Sequence, residues 1–108
     1  MLSVNRQQIE ICADGRLVYR GVAVNTMVAS SPRHAALARF AQQVAAAIPG
    51  LRGFVGIDLV WHAARGPVAI EVNPRVTCAY VGLSASLGRN LAAELLAAHT
   101  EDEAHAVV

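Results

Sequence analysis

Four side chains near the middle of the chain have types and spacing that could do chemistry: Asp58, Glu71, Asn73 and Arg75. Phe54 to Trp61 and Val68 to Val72 are apolar, β-prone runs separated by a turn at Ala63 to Gly66, so they read as a hairpin. Each run carries one acid. A symmetric turn centred between Ala64 and Arg65 sets Asp58 directly opposite Glu71, with Cβ atoms about 4.5–5.5 Å apart. Side chains alternate along a strand, so Asn73 shares the face of Glu71. Val55, Ile57, Leu59 and Trp61, with Val68, Ile70 and Val72, are expected on the opposite face, which would be entirely core.

Like charges directly opposite one another destabilise a ladder. Such a pair persists with a shared proton, a basic partner or a cation. Two carboxylates and an amide oxygen are hard ligands, suited to Mg²⁺ or Mn²⁺ rather than zinc. Mg²⁺ held by few protein groups completes its shell from water and phosphate. Arg75 lies two residues beyond Asn73. Its planar guanidinium could clamp a phosphate or stabilise charge on a transferring phosphoryl group. Plainer readings stand beside these. Asp58 and Glu71 could be exposed strand residues without a role, and Arg75 could simply neutralise Glu71. His62 fits a strand end, Trp61 the core, and Asn90 a helix cap.

The elements that must position these residues are legible in outline. Ile9 to Cys12 and Leu17 to Val24 flank Asp14-Gly15, a strong hairpin signal. Met1 to Asn5 reads as a further short strand. Ser31 and Pro32 open a helix as cap and first-turn residue, and Leu37, Phe40, Val44 and Ile48 recur along one face of it. Pro49-Gly50 ends that helix. A short helix is expected within Thr77 to Leu87 and a clearer one from Arg89 to Ala98, with Leu91, Leu95 and Ala98 on one face. The order β-β-β-α-β-β-α predicts an α+β domain, an antiparallel sheet with helices packed on one face.

Composition narrows the classes. The chain has 108 residues, the size of one domain, and a formal net charge of +1. All nine basic residues are arginine and none is lysine. Neither a basic stripe for nucleic acid nor an acidic tract is present, so no nucleic-acid partner is expected. The hydrophobic fraction of 55% is inflated by 21 alanines. No run approaches the ~20 apolar residues of a spanning helix, so no membrane partner is expected. Cys12 and Cys78 have neither disulfide nor zinc spacing, Cys12 reads as a buried or half-buried strand thiol, and the protein reads as cytoplasmic.

The stretch Gly53-Phe-Val-Gly-Ile-Asp-Leu-Val, followed by Ile70-Glu-Val-Asn-Pro-Arg, Tyr80-Val-Gly-Leu and Gly88-Arg-Asn-Leu, resembles the ATP-grasp superfamily. The resemblance implies the C-terminal half of that fold. By the family's motif, Asp58, Glu71 and Asn73 are metal ligands, Glu71, Asn73 and Arg75 serve the nucleotide phosphates, and Arg75 acts on the acyl-phosphate transition state. The Glu-Val-Asn-Pro-Arg form is similar to the carbamoyl-phosphate-synthase-like and amino-acid-ligase branch. The opening Ser3-Val-Asn-Arg-Gln is similar to ligases of the tyramine–glutamate type.

The implied reaction is ATP-dependent joining of a small carboxylate and an amine through an acyl phosphate, with ATP and Mg²⁺ or Mn²⁺ bound. ATP-grasp enzymes hold ATP between two lobes, the first bringing a glycine-rich loop and lysines. Neither of those is recognisable here. Residues 1–100 are therefore expected to be a partial second lobe and residues 101–108 a loose tail. The expected partner is a missing N-terminal lobe, or another copy of the chain docking on the apolar face left uncovered. The rival expectation is a non-catalytic fragment acting as a dimerisation or interaction module.

Overall fold

Two β-hairpins, three helices and one short parallel strand pair make up the described residues. The computed structural model describes residues 1–100 together with the backbone of a two-residue strand at Ala106–Val107. Strands β1 (Arg6–Ile11) and β2 (Leu17–Ala23) form the first hairpin. Helix α1 (Pro32–Ala47) follows, then the two-residue strand β3 (Gly53–Phe54). Strands β4 (Gly56–His62) and β5 (Gly66–Asn73) form the second hairpin. Helices α2 (Tyr80–Leu87) and α3 (Leu91–Thr100) complete the domain, and β6 (Ala106–Val107) pairs parallel with β3. The expected tail over 101–108 lies, apart from β6, outside the described residues.

The α+β class is borne out. The antiparallel pairing is divided between two separate two-stranded ladders rather than one sheet. Met1 to Asn5 is not a strand. It is tied to the end of the first hairpin instead, through Thr26 N–H donating to the Val4 carbonyl and Asn25 N–H donating to Asn5 Oδ1 at 2.9 Å each. Asn5 Oδ1 also accepts from the Ser3 hydroxyl at 3.1 Å, and side-chain hydrogen bonds of this kind compete with ladder pairing. Asn25 sits at φ 51°, a conformation that asparagine tolerates better than most residues.

Helix α1 begins as its cap residues dictate. Ser31 is extended and its Oγ accepts from His34 N–H at 3.1 Å, with Pro32 in the first turn. Its buried residues are Leu37 and Ala41, with Phe40 and Val44 half-buried, while Ile48 falls past the last turn and is exposed. Asn90 caps α3, its Oδ1 accepting from Ala93 N–H at 3.1 Å.

The core sits where α2 and α3 meet β3 and the base of the first hairpin. Phe54, Ala79, Leu83 and Leu91 are buried together, and Leu2, Val22, Val24, Tyr80, Leu87 and Leu95 pack around them. Phe54 and Tyr80 meet edge to face at 5.6 Å, a favoured aromatic geometry. Gly53 is required at this seam. Its φ is +74°, and a Cβ there would lie 2.5 Å from His99 Nε2 and 3.1 Å from Leu95 Cδ1. The glycine thus lets α3 lie directly on β3, which sets the start of the hairpin carrying the acidic residues.

Candidate functional site

The second hairpin brings Asp58 opposite Glu71, as the spacing predicts, but by a different route. The turn is Ala63 to Arg65, three residues, and Gly66 already pairs with His62. That tighter turn alone would slide Asp58 out of line with Glu71. A β-bulge restores the alignment: Leu59 pairs with Ala69 and Asp58 with Glu71, leaving Ile70 as the extra residue. The His62 imidazole stabilises the turn, its Nδ1 accepting from the Ala64 and Arg65 N–H groups at 3.1 and 3.2 Å. His62 therefore serves the strand end.

The bulge corrects the expected core face. On the turn side of it, Val60 pairs with Val68, so Val68 lies on the same face as Asp58. Pro67 and Ala69 take the places opposite Trp61 and Leu59. Ile70 is 67% exposed rather than core. Trp61 is half-buried, and the Arg33 guanidinium of α1 stacks 4.3 Å from its ring centroid. It forms part of a wall rather than the interior.

Asp58 is half-buried, Glu71 exposed and Asn73 buried at 8% exposure. Asn73 pairs with Gly56, whose missing side chain makes room for Thr77: a Cβ at Gly56 would fall 2.7 Å from Thr77 Cγ2. The Pro74 turn then brings the exposed Arg75 back over Asn73. Arg75 Nη2 donates to Asn73 Oδ1 at 3.4 Å and Nη1 to the Val76 carbonyl at 3.3 Å. Arg75 thus does not pair with Glu71. Among the described residues the ion pairs are Asp14–Arg16, Glu10–Arg20 and Glu94–Arg89, and none involves Asp58 or Glu71.

One contact to the acidic pair was not legible in the sequence. Gln7 of β1 donates from Nε2 to Asp58 Oδ1 at 3.2 Å, across 51 residues. Asp58, Glu71, Asn73 and Arg75 all line a cleft of about 1260 Å³ bounded by the first hairpin, α1 and the second hairpin. Among the described residues no three His, Cys, Asp or Glu side chains gather as a ligand group. The donor set here is two carboxylates and an amide oxygen, all hard oxygen atoms, which fits a hard divalent cation sharing its shell with phosphate. Of the two cysteines, Cys12 is half-buried at the start of the Asp14-Gly15 turn, just past the end of β1, and Cys78 is exposed on the rim of the cleft.

A scan against protein families matches the ATP-grasp domain over residues 1–79. The chain belongs to the ATP-grasp family. The match takes in both hairpins and α1 and runs through the Glu71-to-Arg75 segment. As an ATP-grasp domain it is of the ATP-binding, ligase type. Searches of curated proteins and of solved structures return no significant match. Among the described residues no helix of this ATP-grasp domain is long and apolar enough to cross a membrane.

Proposed function

We propose that residues 1–100 are the second lobe of an ATP-grasp ligase, the lobe that holds the metal and the nucleotide phosphates, and that the complete enzyme joins a small carboxylate to an amine. The observation that carries this reading is the bulged alignment of Asp58 with Glu71, beside buried Asn73 and exposed Arg75. A hairpin that places two like charges opposite each other, with no ion-pair partner among the described residues, favours a cation between them.

Asp58, Glu71 and Asn73 would hold Mg²⁺ or Mn²⁺, which supplies charge neutralisation and orientation for the phosphates of ATP. The Asn73 amide oxygen keeps a second lone pair when Arg75 donates to it. Arg75 is anchored through long hydrogen bonds to Asn73 and Val76, and among the described residues its three further N–H donors are left for a phosphoryl oxygen. In the reaction, the γ-phosphoryl group of ATP passes to the carboxylate, giving an acyl phosphate and ADP. The amine then displaces phosphate to form the amide. The protein's part is positioning and charge stabilisation.

Trapping of the acyl phosphate by hydroxylamine tests this in an enzyme assembled with a first lobe. Glu71→Ala is expected to lower hydroxamate formation by roughly 100-fold. Hydroxamate formed at the parent rate by that variant sinks the assignment.

A second reading has its own observation. Ile9, Ile11, Leu17 and Tyr19 share one face of the first hairpin as cross-strand pairs, and are 48%, 72%, 69% and 50% exposed. An apolar face of this kind suits an interaction module or the docking of a first lobe. Sedimentation at high protein concentration separates the two, since a clean monomer counts against self-association.

A further inference from the structure

We infer that Gln7 is a positioning residue for the cation site: its amide orients the Asp58 carboxylate toward Glu71. The inference rests on the reading of Asp58, Glu71 and Asn73 as metal ligands. Among the described residues, the Gln7–Asp58 contact is the one side-chain hydrogen bond joining the first hairpin to the second. It is also the longest in sequence separation, at 51 residues, so it is not a by-product of a local turn.

Placement on the strand supports the role. Gln7 lies on the same face of β1 as Ile9 and Ile11, because the bulge of the first hairpin falls on the β2 side, at Arg20. A polar residue heading this otherwise apolar row faces the cleft and meets the half-buried acid. Gln7 itself is exposed, so neither burial nor core packing accounts for it.

The chemistry of the donor matters. Two carboxylates in register gain from a hydrogen-bond donor to one of them. An arginine or lysine would supply that and also place a positive charge where the cation must sit. A neutral amide donates to one oxygen of Asp58 without competing electrostatically. It leaves the remaining lone pairs of the carboxylate free, the usual role of an outer partner that orients a ligating group.

The test is a titration of the chain with Mn²⁺, followed by electron paramagnetic resonance, on wild type, Gln7→Leu, Gln7→Arg and Glu71→Gln. The expected result has four parts. Wild type binds Mn²⁺, and Glu71→Gln does not. Gln7→Leu binds about tenfold more weakly with an altered line shape at saturation. Gln7→Arg, which keeps a donor but adds charge, binds more weakly still. Melting temperatures of the two Gln7 variants stay at the wild-type value, which separates positioning from a structural tie. Wild-type affinity and line shape in Gln7→Leu, with Glu71→Gln still inactive in binding, overturn the role of Gln7 alone. Equal binding, or none, in wild type and Glu71→Gln overturns the metal reading and this inference together.

Discussion

Replacing Glu71 by glutamine removes one of two like charges from directly opposite positions on β4 and β5. Placing the charge centres roughly 6 Å apart in a water-like dielectric gives a repulsion of about 0.7 kcal/mol. A water-like value is appropriate because Glu71 is exposed. The figure falls within the roughly 0.2–1 kcal/mol range of cross-strand pairs. In the absence of divalent cations Glu71→Gln should therefore be more stable than wild type, by about 3 °C in melting temperature for a domain of this size. The gain should shrink at about 1 M salt, where the screening length falls to about 3 Å. Thermal melts followed by circular dichroism, in low and high salt with a chelator present, measure both quantities. A variant that is destabilised in low salt, or whose gain is independent of salt, refutes the claim that the two carboxylates oppose each other unneutralised. Such a gain would also be a cost carried by wild type for a charged site, the pattern expected where function and stability conflict.

Three further outcomes follow from other parts of the structure. Leu83 is 1% exposed at the centre of a small core, so Leu83→Ala should cost about 3 kcal/mol and lower the urea midpoint sharply; a loss under about 1 kcal/mol contradicts the packing described. Gly56→Ala should cost about 1–3 kcal/mol by pressing on Thr77 Cγ2, and Thr77→Ser in the same chain should recover most of it; additive losses mean the two do not touch. The backbone N–H of Arg16, with its guanidinium, holds the Asp14 carboxyl below its usual 3.8. Because the folded value is lowered, the turn contact is present above 3.8 and is lost as pH falls through the lowered value; a carboxyl NMR titration with a midpoint at or above 3.8 contradicts it.

How much of this was legible in the residues varies by element. Helix α1 was readable because its cap, Pro32 and apolar spacing act locally. The Asp58–Glu71 alignment was readable as a result but not as a mechanism. The shorter turn and the extra residue Ile70 offset each other, and no residue type announces a bulge in an apolar strand. For that reason Val68 and Ile70 were assigned to the wrong side, while Asp58, on the far side of the bulge, kept its partner. Asn73 and Arg75 were found through spacing from Glu71, yet their mutual hydrogen bond depends on the turn at Pro74. Gln7 carried no local signal, since its partner belongs to a different hairpin. The only hint was a polar side chain in the row of Ile9 and Ile11. Met1 to Asn5 misled because its apolar character serves packing by Leu2, not pairing.

The most direct test of the central claim is a calorimetric titration of the chain with Mn²⁺ alone and with Mg·ATP, run beside Glu71→Gln and Asp58→Asn. The account predicts Mn²⁺ binding by wild type that both variants lose, with any Mg·ATP binding lost in parallel. Mn²⁺ binding that survives in both variants, or is absent from wild type, would contradict the acidic hairpin as the metal site of this ATP-grasp domain.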